Sequence, residues 1–390
     1  MAEKEIKKMI GKVFNDIADA IETGQFGQRP RIGITTLGSE HGIENIIQGA
    51  EEAQKNNDIE VVLIGPKTKT KLKTKEANTE QEVHKKMEEL LDNNEIDSAV
   101  TMHYSFPIGV STVGKVITPG KGKEMYVATT TGTSSTDRVE GMVKNAIYGI
   151  ITAKACGVEN PSVGILNIDG ARQTERALKE LSQRGYKINF SESLRADGGC
   201  VMRGNDLLTG TPDVMVTDPL TGNLLMKVFS SYSTGGSYEA LGYGYGPGIG
   251  EDYDKIILIL SRASGKPVVS GAIQYAAQLI KGNCKEIAKE EFQKANKAGL
   301  KEILEGLKTK KENVEEEITK PEKEVVTGQI AGIEIMDLED AVKALWKHGI
   351  YAESGMGCTG PIVLVNEEKL KTAMKILVEA EFVAKEKIDC

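Results

Sequence analysis

The stretch PDVMVTDPLTGNLLMK, residues 212–227, decides the fold because it joins an apolar strand to a helix through a polar turn. A strand that leads directly into a helix is the repeating unit of α/β proteins. Asp218 lies at the end of the strand, and Asn223 and Lys227 are one helical turn apart, on the same face of the helix. Asp218 could orient a ligand or accept a proton, and Asn223 could donate to an oxygen. The alternative is an Asx turn that only caps the helix.

Strand and helix patterns of the same kind continue on both sides of this stretch. The predicted strands are Arg31–Thr36, Glu60–Ile64, Ser98–His103, Met125–Thr130, Ser162–Ile168, Asp213–Thr217 and Lys255–Leu260, and helical patterns lie between most of them. This order predicts an open α/β architecture with a parallel sheet and right-handed crossovers. The ligand crevice is then expected at the carboxyl ends of the strands.

The run Ser233–Gly250 is rich in glycine and tyrosine. Its glycine content argues against regular structure, and its length exceeds that of an ordinary connection. We predict a mobile functional loop whose tyrosines could line a pocket. A plain surface loop is the alternative.

A candidate anion site follows the strand that ends near Thr130. The segment TTTGTSSTDR, residues 129–138, offers hydroxyls and a glycine, and it leads into a predicted helix at Val139–Lys154. Helix N–H groups and an arginine are suited to phosphate, although Ser, Thr and Asp are also ordinary N-cap residues. No P-loop sequence is present. The candidate phosphate ligands are Ser134, Ser135, Thr136 and Arg138.

Histidines and cysteines give little sign of a metal centre or a disulfide framework. His41, in the turn Gly38–Gly42, is a possible acid, base or phosphate contact, or a turn residue without a role. The histidines are too dispersed for a metal motif, and the five cysteines contain no C-x-x-C pair. We expect no metal. The residues concerned are His41, His84, His103, His348, Cys156, Cys200, Cys284, Cys358 and Cys390.

Composition changes sharply over residues 285–323, where Lys and Glu dominate. We interpret this segment as solvated helices that join two domains. The predicted organisation is a large domain over 1–284 that begins with a charged amphipathic helix over 1–24, a helical linker over 285–325, and a small α/β domain over 326–390.

The small domain carries ESGMGCTGP, residues 353–361, which places Cys358 in a glycine-dense turn before the apolar run Ile362–Val365. Glycines allow close backbone approach and inward-facing N–H groups, so a thioester carbonyl there could meet hydrogen-bond donors. The alternative is that Cys358 is a small buried hydrophobic residue.

Overall composition is that of a globular protein with a substantial core. The chain has 390 residues, of which 39% are hydrophobic and 27% charged, with a formal net charge of −8. This charge argues against general affinity for nucleic acid or membrane surfaces. No run of eighteen apolar residues occurs, and we expect a cytoplasmic protein without a membrane partner.

Two motifs resemble the PlsX-type phosphate acyltransferases. SVGILNIDG, residues 162–170, is similar to that family's LLNIG motif, and residues 212–227 are similar to its strand followed by Asp, Gly-Asn and Lys. The resemblance covers roughly residues 31–283 and implies an isocitrate/isopropylmalate-dehydrogenase-like fold of two subdomains. It also implies acyl exchange between thioesters and phosphate. The sequence departs from that family at HYSFPIG, at TTTGTSSTDRVE and in the added region around Cys358.

With GMGCTGPIV, residues 355–363, the whole chain is similar to the alpha subunits of component C of glycine/sarcosine/betaine reductase complexes. This resemblance implies that Cys358 holds an acetyl thioester formed from a selenoprotein-bound carboxymethyl unit, and that phosphate releases it as acetyl phosphate. Phosphate is then a co-substrate, and no cofactor is expected in this subunit. The implied partners are the component C beta subunit and selenoprotein A, in an oligomer.

The resemblance also gives the candidate residues their roles. Gly357, Thr359 and Gly360 would donate to the tetrahedral oxyanion, while Asp218, Asn223 and Lys227 would position the reacting groups. Two alternatives stay open. The chain could be a stand-alone phosphate acyltransferase that uses coenzyme A or acyl carrier protein, or a non-catalytic scaffold.

Overall fold

The computed structural model describes residues 11, 14, 29–196, 198–312, 320–333, 337–357, 360–380 and 382–383. The chain divides into two compact units, Met1–Leu304 and Glu305–Cys390. The division therefore falls inside the segment 285–325 that the sequence marks as a linker. Apart from Gly11 and Phe14, the helix expected over 1–24 lies outside the described residues.

The first unit is built on a twelve-stranded sheet. Its strands are β1 (Arg31–Thr35), β2 (Glu60–Gly65), β3 (Lys73–Glu76), β4 (Ser98–Thr101), β5 (Val110–Ile117), β6 (Glu124–Thr133), β7 (Ser162–Leu166), β8 (Asn189–Phe190), β9 (Val201–Met202), β10 (Val214–Val216), β11 (Gly246–Ile249) and β12 (Ile257–Ile259). They lie in the order β3-β2-β1-β4-β12-β11-β5-β6-β10-β7-β8, with β9 also paired to β7.

Helices follow most of the parallel strands. They are α1 (Ile43–Asn56), α2 (Glu80–Asp92), α3 (Arg138–Ala155), α4 (Ala171–Gln183), α5 (Gly204–Thr209), α6 (Pro219–Ser231), α7 (Lys266–Lys281), α8 (Cys284–Lys297) and α9 (Leu300–Glu312). The α/β fold predicted from the sequence is confirmed. The finer comparison with isocitrate dehydrogenase stays a prediction.

The sheet consists of two parallel halves that run in opposite directions. In one half β2, β1, β4 and β12 pair in parallel, and in the other β6, β10 and β7 do so. Between them β11 and β5 pair antiparallel with their neighbours. The prediction of a parallel sheet is therefore wrong at the centre, since the short connection from β5 to β6 allows a hairpin but no crossover. The carboxyl ends of the two halves consequently lie at opposite edges of the sheet.

The glycine-rich run contains part of this central region. Residues Gly246–Ile249 form the buried strand β11, so the prediction that the whole run Ser233–Gly250 lacks regular structure is wrong. Gly246 has φ +85°, and a Cβ there would lie 1.7 Å from the carbonyl oxygen of Val113. Glycine is required here because it alone tolerates both the backbone conformation and the close approach of β5.

Helix α6 begins where the sequence indicates and packs closely on β6. Asp218 is its N-cap and Pro219 its first residue, a combination that favours a helix start. A Cβ at Gly222 would lie 1.7 Å from the carbonyl oxygen of Thr129. The helix can therefore approach the strand backbone only through this glycine, and that contact sets the positions of Asn223 and Lys227.

The second unit contains an antiparallel sheet of three strands, β13 (Gly328–Ala331), β14 (Ala352–Gly357) and β15 (Gly360–Val365), in the order β13-β15-β14. Two helices, α10 (Leu338–Lys347) and α11 (Leu370–Glu379), contribute to its core. Trp346 donates its indole N–H to the carbonyl of Ala352 at 3.0 Å. The unit thus has a hydrophobic core of its own.

We expect Gly222→Ala to lower the free energy of unfolding by about 1–3 kcal/mol, because the added methyl group meets backbone that cannot move aside. Chemical denaturation of the full chain measures this change. Gly204→Ala is the matched control, since a Cβ there has no atom within 4 Å. Equal stability of the two variants would contradict the close packing of α6 on β6.

Candidate functional site

Residues from separate parts of the first unit contact the loop after β12, Ser261–Gly265, which we call the β12 loop. The turn after β1 docks on its backbone, as expected for neighbouring carboxyl ends in one half of the sheet. The contacts are Glu40 N–H to Arg262 O at 2.9 Å, His41 Nε2 with Ala263 O at 3.2 Å, and Asn45 Nδ2 to Ser264 O at 3.0 Å.

Lys227 reaches the same loop from α6. Its Nζ donates to Ser261 Oγ at 2.8 Å and to Glu239 Oε1 at 2.6 Å. The lysine side chain is 47% exposed, whereas that of Glu239 is 1% exposed. Asn223, one turn earlier, donates its amide to the carbonyl of Thr130 at 3.2 Å. The structure therefore places Lys227 beside the loop that also contacts His41.

Glu239 lies beneath Lys227 and is held by two hydroxyl groups. Ser264 Oγ donates to Oε2 at 2.9 Å, and Tyr245 Oη lies 3.5 Å from Oε1. Burial, and then the nearby charge of Glu239, raise the pKa of Tyr245 well above its usual value. The phenol consequently stays protonated and can serve the carboxylate only as a donor.

Positive charge and free donors characterise the β12 loop. Arg262 is exposed and, among the described residues, has no carboxylate within 4.0 Å. Helix α1 begins next to His41 with Gly42 as N-cap and without a side-chain cap, and its first turn carries Glu44. An unpaired arginine and a helix start without a side-chain cap together favour an anion. A cavity of about 20 Å³, room for one water molecule, lies between Arg262 and the ends of β1 and β4.

A second concavity lies at the opposite edge of the sheet, between the starts of α3 and α6; we call it the α3–α6 cleft. Its volume is about 290 Å³. It brings together the predicted phosphate ligands and one predicted catalytic residue. Its lining residues are Ser134, Ser135, Thr136, Asp137, Arg138, Gly141, Asn145, Asp218, Pro219 and Leu220.

Carboxylates occupy both helix starts at this cleft. Asp137 accepts from the N–H of Glu140 at 2.9 Å. Asp218 accepts from the N–H groups of Leu220 and Thr221, each at 3.0 Å, and from the Thr221 hydroxyl at 2.8 Å. A carboxylate already bound to these donors disfavours a second anion nearby. Here Asp218 caps α6, the alternative that the sequence left open.

Three further polar side chains of the cleft, Ser134, Asn145 and Arg138, are also partnered. Ser134 is buried and donates to Asn145 Oδ1 at 2.7 Å, while the Asn145 amide donates to the carbonyl of Thr217 at 2.9 Å. Arg138 is exposed and lies 3.3 Å from a carboxylate oxygen of Asp169. Arg138 therefore differs from Arg262 in having a carboxylate partner.

Cys358 and Thr359 lie outside the described residues. Gly357 and Gly360, which flank them in the chain, pair with each other across β14 and β15. Three other thiols are described, and all are free. Burial raises the pKa of Cys284 to about 12, and burial together with Glu175 raises that of Cys200 to about 12. These two thiols are poor nucleophiles at neutral pH.

The sequence prediction omitted four residues at the β12 loop: Glu239, Ser261, Arg262 and Ser264. A signal for three of them was present, since the polar run SRAS follows the predicted strand Lys255–Leu260 directly. The sequence contained no such signal for Glu239, because a glutamate in a glycine-rich run resembles any surface residue. Within the described ranges, no cluster of three or more potential ligands is placed to hold a metal ion. No helix in that part of the chain is long and apolar enough to cross a bilayer.

Comparison with known proteins identifies relatives of two kinds. The sequence matches the family described as fatty acid synthesis protein over residues 30–364. It is 67% identical to the glycine/sarcosine/betaine reductase complex component C subunit alpha of Peptoclostridium acidaminophilum, over 97% of this chain and 100% of that protein. It is 29% identical to a phosphate acyltransferase of Thermotoga maritima, over 50% of this chain and 68% of that protein.

A solved structure is also similar. A branched-chain phosphotransacylase from Enterococcus faecalis V583 matches with a TM-score of 0.45 and 15% identity, over 64% of this chain and 99% of that one.

The capping role of Asp218 gives a stability prediction. Asp218→Ala should lower the free energy of unfolding by about 1 kcal/mol, whereas Asp218→Asn should change it little because asparagine caps as well as aspartate. Thermal melting of the two variants measures the difference. A loss in Asp218→Asn as large as that in Asp218→Ala would contradict this role.

Proposed function

The chain belongs to the fatty acid synthesis protein family, and from its similarity to a component C subunit we propose that it is the alpha subunit of component C in a glycine/sarcosine/betaine reductase complex, where it transfers an acyl group to phosphate. The component C relative matches over its full length at 67% identity. The phosphate acyltransferase relative supports the reaction class.

One observation carries the assignment of the phosphate site: the β12 loop combines an unpaired arginine with a half-exposed lysine. Arg262 has no carboxylate partner among the described residues, and Lys227 is bound to the same loop through Ser261. The His41 ring contacts the loop at Ala263. These groups fit a phosphate dianion better than the α3–α6 cleft does, because Asp137 and Asp218 already occupy the helix starts there.

In the proposed reaction Cys358 carries a two-carbon acyl group as a thioester. A phosphate oxygen attacks the carbonyl carbon, the C–O bond forms as the C–S bond breaks, and the thiolate leaves and takes up a proton. The products are acetyl phosphate and free Cys358. A thiolate is a good leaving group, so the main requirements are a held phosphate and donors for the developing oxyanion. Gly357, Thr359 and Gly360 are the proposed donors around the thiol, and Asn223 and Lys227 are proposed to position phosphate.

The acyl group would come from a carboxymethyl unit on selenoprotein A. The other proposed partner is the beta subunit of component C, within an oligomer. Phosphate is the co-substrate, and we propose no cofactor for this subunit. The name of the component C relative supports the presence of partner subunits.

Cys358→Ser tests the thioester. We expect acetyl phosphate formation by the assembled complex to fall by roughly a thousandfold or more, because a serine ester forms slowly and has a poor leaving group. Arsenate in place of phosphate provides a second assay. Cys200→Ser, at a buried thiol of the first unit, is the control and should keep full activity.

Unchanged turnover in Cys358→Ser would contradict the thioester role. Turnover with coenzyme A or acyl carrier protein in that variant would instead identify a stand-alone phosphate acyltransferase. A complex whose activity is independent of every substitution in this chain would identify a scaffold.

A pair of arginine variants tests the phosphate site. Arg262→Ala should raise the KM for phosphate by roughly tenfold to a hundredfold, the value of a charge-assisted hydrogen bond. Arg138→Ala is the matched control, since Arg138 is also exposed but pairs with Asp169. The reverse pattern, with phosphate KM raised only in Arg138→Ala, would move the site to the α3–α6 cleft.

A further inference from the structure

Glu239 is a buried carboxylate that the proposed reaction does not yet use. Its side chain is 1% exposed and accepts from Lys227 Nζ at 2.6 Å and from Ser264 Oγ at 2.9 Å. Its backbone also joins the β12 loop, because its N–H donates to Ala263 O at 3.0 Å and its carbonyl accepts from Gly265 N–H at 2.8 Å. Glu239 is therefore fixed to the loop by both backbone and side chain.

The ion pair with Glu239 does not use all the N–H donors of the Lys227 ammonium. An ammonium group has three N–H donors. Two of the donors of Lys227 go to Glu239 Oε1 and Ser261 Oγ, and the third makes no hydrogen bond to a described residue. The ammonium also lies 6.0 Å from the centroid of the Tyr245 ring. Because the lysine side chain is 47% exposed while the glutamate is buried, the carboxylate holds the ammonium from the protein side and leaves it accessible to a ligand.

The buried carboxylate Glu291 shows how a purely structural ion pair differs from that of Glu239. Glu291 is also almost fully buried, and it pairs with Lys154 at 3.1 Å and Lys294 at 2.9 Å. It also accepts from the Tyr186 hydroxyl at 2.9 Å. That cluster joins α3, α8 and the segment after α4, away from the β12 loop. Glu239 differs because its cation is the lysine that the proposed reaction requires.

We propose that Glu239 is a positioning residue for acyl transfer: it holds the Lys227 ammonium against Ser261 so that its third N–H is directed to an anionic oxygen of phosphate. This inference rests on the proposed function. A flexible lysine would lose much rotamer freedom on binding a ligand, and the buried carboxylate removes that loss in advance.

Glu239→Gln tests the inference, since it keeps the shape of the side chain and removes its charge. We expect kcat for acetyl phosphate release to fall at least tenfold, and Glu239→Asp to recover part of that loss. Glu291→Gln is the matched control. It should lower the melting temperature to a similar extent and leave kcat unchanged.

A neutral double variant keeps the test valid if a single change unfolds the protein. Lys227→Met with Glu239→Gln leaves no buried charge unpaired, and it should have a kcat no higher than that of Glu239→Gln. Wild-type kcat in Glu239→Gln, or a tenfold loss in Glu291→Gln as well, would overturn the positioning role while leaving the proposed function intact. A wild-type complex that forms no acetyl phosphate would overturn the proposed function and this inference with it.

Discussion

The contact between Gly222 and the backbone of Thr129 is the constraint on which the arrangement of the site depends. It allows α6 to lie directly against β6, where any side chain would collide with a carbonyl oxygen. A helix of thirteen residues is about 20 Å long. Held in this way, α6 has Asp218 at one edge of the sheet and carries Lys227 toward the opposite edge. Two residues from one short motif therefore lie at different sites, Asp218 at the α3–α6 cleft and Lys227 at the β12 loop.

The reversal of strand direction at the centre of the sheet explains why there are two such places. Each parallel half has its own carboxyl edge, and each edge gathers polar loops and helix starts. The edges differ in charge. At the α3–α6 cleft, aspartates cap both helices, and Arg138 has an acidic partner. At the β12 loop, α1 starts without a side-chain cap and Arg262 is exposed. We propose phosphate binding at the second edge for this electrostatic reason.

Local patterns predicted much of the fold but little of its centre. Helix α1 (Ile43–Asn56) lies between two predicted strands, as the helical pattern there indicates. Strand β5 was not predicted, since its sequence VSTVGKVI buries Lys115. The Lys115 ammonium contacts Glu124 at 3.2 Å and Gln278, 163 residues away, at 2.9 Å. Strand β11 was also not predicted, because its glycine content argued against a strand. Only the packing of β11 against β5 explains Gly246. Lys227 was predicted as a site residue from its motif, whereas Glu239 becomes visible only through long-range pairing.

The position of the bound oxyanion can be observed directly. Diffraction from crystals soaked in arsenate, with data collected at the arsenic absorption edge, would locate the bound oxyanion by its anomalous scattering. We expect an arsenic peak within hydrogen-bonding distance of Lys227 and Arg262 at the β12 loop. A peak in the α3–α6 cleft, on Arg138 and the hydroxyls of Ser135 and Thr136, with none at the β12 loop, would contradict it.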